Sequence, residues 1–296
     1  MIERIIDAHI HLFGHEGATR LCAGSGHEPS IAHLMGEFDR LNIKGAVVMG
    51  GSRGGENNPA RPGLFDLEGV ADPFAYNYPK NLGFCMGVNP EGLGPLTAET
   101  AIAGFRRTAA SPYAVGFKLY PGYNHAPISD PCYFPIFELA EELNLPVAVH
   151  TGDTANPAGR LQFSHPLTVD DAAAMFPRVR FVMCHLGNPW IMDACEICKN
   201  KPNVYADLSG LAVGIPDPSA FYERYKGYVE HLKTWLAYLD NYEKVMWGTD
   251  WPLVNLEGYI GLLAGIVPDW AHDQFFYRTA LDVYEKLGPL VEGTEE

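Results

Sequence analysis

The chain has little that would suit a membrane, a nucleic acid or an oxidising compartment. Its 296 residues contain no uninterrupted apolar run near the ~18 residues that a membrane-spanning helix needs. The start, Met1-Ile2-Glu3-Arg4, lacks the basic stretch, apolar run and small-residue cleavage site of a secretory signal. Basic residues are in deficit. Lys and Arg number 21 against 36 Asp and Glu, a formal net charge of −15. A phosphate-backbone binder needs the opposite sign, and no basic stripe offsets the balance, so the composition argues against a nucleic-acid partner. A small anionic substrate stays open, because local basic residues decide that. Cysteines are sparse, six in all, and Cys85 and Cys184 sit inside apolar runs. Such usage fits reduced, buried thiols in a cytoplasmic protein. Cys195 and Cys198 form a C-x-x-C with no second pair nearby. A spacing of three puts both on one helical face, so we read them as core, not as a zinc or redox pair.

What the sequence does have is a series of short apolar runs. They cover Arg4 to His11, Ile43 to Gly50, Leu82 to Val88, Ala114 to Tyr120, Leu145 to His150, Val179 to His185, Asn203 to Leu208 and Lys244 to Asp250. Rich in Val, Ile, Phe and Met and bounded by Gly, Pro or polar residues, they read as strands of a parallel sheet buried on both faces. Helical stretches lie between them. Ser30 to Leu41 carries a stripe of Ile31, Leu34, Met35, Phe38 and Leu41. Asp130 and Pro131 are placed to cap and open a helix over Cys132 to Leu143. Thr168 to Phe176, Ala220 to Leu239 and His272 to Leu287 are further helices. Eight strand–helix repeats favour an α/β fold of the (β/α)₈ TIM-barrel type over an open sheet. No linker or low-complexity segment divides the chain, so residues 1–296 are expected to form a single barrel domain. Two long loops, Leu12 to Glu28 and Gly51 to Asn81, leave from the carboxyl ends of strands one and two, the face where barrel enzymes place their sites.

Asp7-Ala8-His9-Ile10-His11 is the most informative segment. Alternate residues of a strand share a face, so Asp7, His9 and His11 can point into the barrel together, and the two imidazoles can chelate one ion. Strands five, six and eight end at His150, His185 and Asp250, and strand four carries Lys118 near its end. In a barrel all of these converge on one mouth. Buried Lys and Asp are rare unless paired or metal-bound. The mixture of imidazole and carboxylate suits zinc or a similar divalent ion with a position left open for water.

The order H-x-H, Lys, His, His, Asp on strands one, four, five, six and eight resembles the amidohydrolase superfamily. The stretches IDAHIHL, GFKLYPGY, LPVAVHTGDT, VMCHLGNPW and MWGTDWPL look like its amidohydrolase family 2 branch, and the similarity runs from Ile6 to about Tyr284. The resemblance implies a metal-bearing barrel that hydrolyses amides or lactones or, alternatively, decarboxylates small aromatic or unsaturated acids. It implies His9, His11, His150 and Asp250 as ligands of a first metal. His185 would be a catalytic group beside a single ion or a ligand of a second. Lys118 would be a carboxylated bridge between two ions, or a substrate-binding or salt-bridged cation. One divalent ion, zinc first among candidates, is favoured over two. With such an ion, bound water falls in pKa from about 15.7 toward ~7; Asp250 would relay its proton and His185 would stabilise or orient.

Rim residues complete the expected site. Tyr120, Tyr123, Trp190 and Trp251 can form an aromatic wall or pack between barrel and helices. Arg160 can hold a substrate carboxylate through a bidentate pair. Arg53 and Arg61 are weaker candidates, His15 and His27 in the first loop have no ligand spacing, and His125 and His165 lie in loops after strands four and five. His33, His231 and His272 are expected on helices without catalytic roles. Asn188 is expected to cap the helix after strand six. The aromatics Phe221, Tyr222, Tyr225, Tyr228 and Trp235 read as core or subunit contact, which leaves a homo-oligomer open. An inert ligand-binding barrel would need a lost metal ligand, and none of the expected positions is lost.

Overall fold

A computed structural model describes residues 2–12, 16–51 and 79–293. His15, Arg53, Arg61 and most of the second long loop lie outside the described residues. The apolar runs form eight strands: β1 Ile5–Ile10, β2 Ile43–Met49, β3 Leu82–Gly87, β4 Ala114–Leu119, β5 Val147–His150, β6 Phe181–Cys184, β7 Val204–Asp207 and β8 Val245–Met246. They pair in sequence order in one sheet, and every pairing is parallel. The two ends of the sheet meet just past the short β8. Asp250 N–H donates to the His9 carbonyl at 2.8 Å, and His11 N–H donates to the Trp251 carbonyl at 2.7 Å. The result is the (β/α)₈ TIM barrel that the strand count implied.

The strands are buried along nearly their whole length, as runs covered on both faces must be. Sheet and helices share a large core, and a second buried cluster joins Ile6, Val47, Val115 and Val182 to Tyr284 and Leu287. The Phe117 ring of β4 lies 5.8 Å from Phe105, and the Phe181 ring of β6 lies 5.3 Å from Phe137 on the helix that precedes β5. The helix Ile31–Leu41 begins where the Ser30 hydroxyl accepts from His33 N–H at 3.1 Å and ends at Asn42, in the left-handed region with φ 60°. The Asp130 carboxylate accepts from Cys132 N–H at 2.9 Å, but the first turn there is a tight one over Pro131–Tyr133, and the α-helix proper spans Phe134–Leu143. Cys195 and Cys198 are buried on the helix Ile191–Asn200.

Three expectations change. The stretch 220–239 is two helices, Pro218–Arg224 and Lys226–Leu239, because Tyr225 takes a non-helical ψ of 31°. The turn lets the second helix bury Val229, Leu232, Leu236 and Leu239. The stretch 272–287 is also broken. Phe275, Phe276 and Tyr277 are all buried, and three successive side chains cannot share one face at 3.6 residues per turn, so the chain widens to a π turn over Gln274–Arg278 before Thr279–Val283. Asn188 does not cap. Pro189 and Trp190 intervene before Ile191, and the Asn188 Oδ1 accepts from the Tyr228 hydroxyl at 3.2 Å.

Candidate metal centre

The barrel brings the ends of β1, β5, β6 and β8 to one place. His9 Nε2 lies 3.3 Å from His11 Nε2 and 3.4 Å from Asp250 Oδ1, and His11 Nε2 lies 3.2 Å from the same oxygen. These three donor atoms all fall within 4.8 Å of one another. Beside them, His150 Nδ1 and His185 Nε2 are 3.2 Å apart, and the His185 ring centre is 4.9 Å from that of His9.

Hydrogen-bond accounting shows what this cluster needs. His150 donates its Nε2 proton to the Asp153 carbonyl at 2.8 Å, so its lone pair is on Nδ1. His185 donates from Nδ1 toward Ser209, whose carbonyl is at 3.1 Å and hydroxyl at 2.9 Å, so its lone pair is on Nε2. His9 donates from Nδ1 to Asp207 Oδ2 at 2.9 Å, which leaves the Nε2 lone pair facing His11 and Asp250. Burial holds His9 down to about 3, with the Lys118 charge acting in the same direction, and burial also pulls His150 and His185 below the ordinary imidazole range. Neutral rings with lone pairs turned toward one another repel unless a cation lies among them. Two imidazoles and a carboxylate are a donor set that fits zinc or a similar divalent ion, so the residues present suit the metal that the fold implies.

Backbone strain marks the same spot. His185 has φ 64° and Asp250 φ 63°, left-handed values that a side chain adopts at a cost. Gly210 has φ +66°, and a Cβ there would stand 3.0 Å from His185 Nδ1 and 3.2 Å from Asp250 Oδ2.

Asp207, Ser209 and Thr249 help to hold the centre and were not singled out in the sequence, whereas Asp7 was read only as facing the same way as His9 and His11. Asp207, at the end of β7, is wholly buried and accepts four hydrogen bonds: from His9 Nδ1, from His185 N–H at 3.0 Å, from Ser209 N–H at 3.1 Å and from the Ser209 hydroxyl at 2.5 Å. Burial works against its charge, but contact with His9, then His185 and Lys118, outweighs burial and holds the carboxyl well below its usual range. Asp7 accepts from the Thr249 hydroxyl at 2.6 Å and the Thr249 N–H at 3.0 Å, which pins β1 to the segment after β8. Both acids stand inside apolar strands; an ionisable group there was the available signal.

The other expected residues fall in different places. Lys118 is fully buried, with Nζ donating to Cys184 Sγ at 2.7 Å and lying 5.1 Å from the Tyr120 ring centre. Tyr120 stacks at 6.0 Å on His150 and donates its hydroxyl to the Gly50 carbonyl at 2.8 Å. Tyr123 meets the same imidazole edge-on at 4.9 Å. Arg160 stands in the loop after β5, with its backbone N–H donating to the Gly122 carbonyl at 2.9 Å. Trp251 is fully buried with its ring 5.9 Å from His27. His165 packs on Trp190 at 4.7 Å, and His125 meets the Ala158 carbonyl at 2.8 Å. Among the described residues no helix is long and apolar enough to cross a membrane.

Known proteins share this architecture. A probable 2-pyrone-4,6-dicarboxylic acid hydrolase from Acinetobacter baumannii is 17% identical, with TM-score 0.63 over 95% of this chain and 99% of that one. A 5-carboxyvanillate decarboxylase from Novosphingobium aromaticivorans, complexed with manganese, is 13% identical, with TM-score 0.58 over 95% and 96% of the two chains. At such identities the likeness is one of fold. The 2-keto-4-carboxy-3-hexenedioate hydratase of Sphingobium sp. is 23% identical over 185 residues, 55% of this chain and 48% of the hydratase. The chain spans less than half the length of the curated relatives it matches, 48% here and 16% for Protein fluG of Emericella nidulans. The Amidohydrolase family model matches residues 83–286, more than half of the chain and the part that carries His150, His185, Asp207 and Asp250; the chain belongs to the amidohydrolase family.

Proposed function

We propose that the chain is a metal-dependent hydrolase that opens a small amide or lactone bearing a carboxylate. The observation that carries the reading is the set of imidazole lone pairs and the Asp250 oxygen converging on one volume, with the ring protons tied up behind them. His9, His11 and Asp250, with His150 beside them, would hold the ion. A divalent ion in that position supplies Lewis acidity and makes water acidic enough to attack near neutral pH. The protein supplies the rest. Asp250 Oδ1 faces the two imidazoles, while Oδ2 lies on the Gly210 side and is placed to take the proton of the attacking water and pass it to the leaving group. His185, neutral and fixed by Ser209, presents its Nε2 lone pair and is placed to orient the attacking water by accepting a hydrogen bond from it. Tyr120 and Tyr123 flank His150 and exclude water on that side. We place this activity in the cytoplasm, on a small molecule.

Decarboxylation is the second reading. The manganese-containing neighbour is named as a decarboxylase, and both reactions use the same residues. The two separate on a substrate panel with metal-loaded protein. Ring opening of 2-pyrone-4,6-dicarboxylate is followed by absorbance, and carbon dioxide release is measured from 5-carboxyvanillate and 2,6-dihydroxybenzoate. Ring opening without carbon dioxide supports the hydrolase; release of carbon dioxide moves the assignment to the second reading. His9→Ala should lose metal and activity together, and full activity in a metal-free preparation overturns both readings.

A further inference from the structure

Lys118 on β4 and Cys184 on β6 are both wholly buried, on the two strands that flank β5. Lys118 Nζ donates to Cys184 Sγ at 2.7 Å. That is the short end of the range for an N–H donor even on oxygen, and sulfur is the larger atom. The company is unusual as well as close. A buried ammonium ordinarily meets a carboxylate or several oxygens. Lys244 donates to the carbonyls of Lys201 and Pro202, Lys286 to those of Ala109 and Ser111, and Lys201 pairs with Asp170. Among the described residues Lys118 Nζ has no carboxylate within ion-pair distance, and its hydrogen-bond partner is the thiol. Cys184 Sγ in turn stands within 4.8 Å of a His9 ring nitrogen and an Asp207 oxygen.

We infer that Lys118 and Cys184 are an oxidative modification site, at which a single oxygen atom joins them covalently as Nζ–O–Sγ. One bonded oxygen fits between two atoms already 2.7 Å apart with little movement of either side chain, whereas a direct N–S bond would need them drawn far closer. The oxidant is hydrogen peroxide, and the pair is counted as amine and thiol. A first peroxide oxidises the sulfur by two electrons: its O–O bond breaks, S–H becomes S–OH, and one water leaves. A second peroxide oxidises the nitrogen. One N–H hydrogen and the S–OH hydrogen pass to it with two electrons, it becomes two waters, and the N–O bond forms. Two dithiols reverse the change, giving amine, thiol and one water.

The oxidant has a short way to travel. Nζ lies 5.1 Å from the Tyr120 ring centre, and that ring stacks on His150 at the mouth, where His11 and Asp250 are partly exposed. Burial raises the Cys184 thiol well above its ordinary range, with the Lys118 charge acting against it, so oxidation is slow and is followed over hours. The bridge ties β4 to β6 and consumes the lysine amine. Its formation does not depend on the enzymatic reading above.

The test reads mass. Full-length protein is incubated with hydrogen peroxide, denatured, treated with iodoacetamide to block free thiols and digested. The peptides carrying Lys118 and Cys184 should appear joined, heavier than their sum by one oxygen less two hydrogens, and dithiothreitol should separate them into unmodified peptides. Cys184→Ser and Lys118→Met should each lose the joined species, and wild type alone decides the matter if either variant fails to fold. Cys184 recovered alkylated or as a sulfinic acid with Lys118 free, a joined mass that lacks the oxygen, or a disulfide from Cys184 to Cys85 overturns the inference. Each of those results leaves the metal-centre reading standing, because the readout uses neither metal nor substrate.

Discussion

Replacing Asp207 with Asn removes one charge and turns one hydrogen-bond acceptor into a donor, and the structure sets the expected cost. The new side chain could keep the Oδ1 contacts to the N–H groups of His185 and Ser209 at 3.0 and 3.1 Å. Its amide NH₂ would then face His9 Nδ1, where a carboxylate oxygen now accepts at 2.9 Å. Two donors cannot share that contact. His9 would shift its proton to Nε2, the atom directed at His11 and Asp250, and its metal-facing lone pair would be lost. Outer partners of this kind are worth 10- to 100-fold in metal affinity, or roughly 1.4–2.8 kcal/mol. Competition with a chelating dye would measure the affinity, and ¹⁵N chemical shifts of the His9 ring would report the tautomer. Asp207→Ala should do worse. It leaves buried N–H groups unsatisfied as well and is expected to cost about 3–5 kcal/mol of stability, read by denaturant unfolding. A folded Asp207→Asn protein that binds zinc within twofold of wild type, with the His9 tautomer unchanged, would refute the reasoning.

Gly210→Ala places a Cβ at φ +66° against His185 and Asp250, and should lower stability by about 1–2 kcal/mol and reduce turnover more than tenfold, checked by thermal unfolding and kinetics on the same preparation. Lys118→Ala is expected to keep a single metal per chain and to raise KM for an anionic substrate; two ions per wild-type chain, with the mass of a carbamate on Lys118, would show the bridging arrangement instead. Burial pushes the Cys195 thiol up to about 12 from an ordinary 9.0. A raised value means the folded protein holds that proton more tightly than the unfolded chain, so its contribution to stability is complete below pH 9 and is lost as the pH rises toward 12. Cys195→Ala should flatten that part of the pH–stability curve, and iodoacetamide at about pH 8, below the ordinary thiol range, should leave Cys195 unmodified in the native protein.

Strands were legible because a strand buried on both faces is apolar throughout, and eight such runs at barrel spacing fit few architectures besides a closed barrel. The metal-facing side chains were legible for the opposite reason: His9, His150 and Asp250 are costly to bury without a partner. The same rule applied to Asp207 would have found it, but a single acid inside Asn203 to Leu208 has the pattern of a strand end with a polar residue. Its partner Ser209 carries no signal at all, since a serine after a strand is most often a turn. The breaks at Tyr225 and across Gln274–Arg278 were hidden because both stretches keep helical periodicity on each side. Tertiary packing breaks them: three successive buried aromatics across Gln274–Arg278, and at Tyr225 the turn that lets the second helix bury Val229, Leu232, Leu236 and Leu239. Asn188 is of a residue type that caps helices; its hydroxyl contact comes from Tyr228, 40 positions away, and no local pattern reveals it.

The closing seam of the barrel ties assembly of the centre to the timetable of synthesis. Asp7 and Thr249, 242 positions apart, are joined side chain to side chain, and the His9 and Asp250 segments exchange backbone hydrogen bonds at the same edge. The first strand made must therefore wait for the last before His9, His11 and Asp250 can meet. A chain still on the ribosome has the imidazoles of β1 but no carboxylate to complete them, and loop closure over such a distance comes late in folding. An ion that binds only the closed ring would then act as a clasp, adding RT ln(1 + [M]/Kd) to the stability of closure. Starving a cell of metal would lengthen the life of the open barrel, whose unpaired β1 edge is a template for association with other strands.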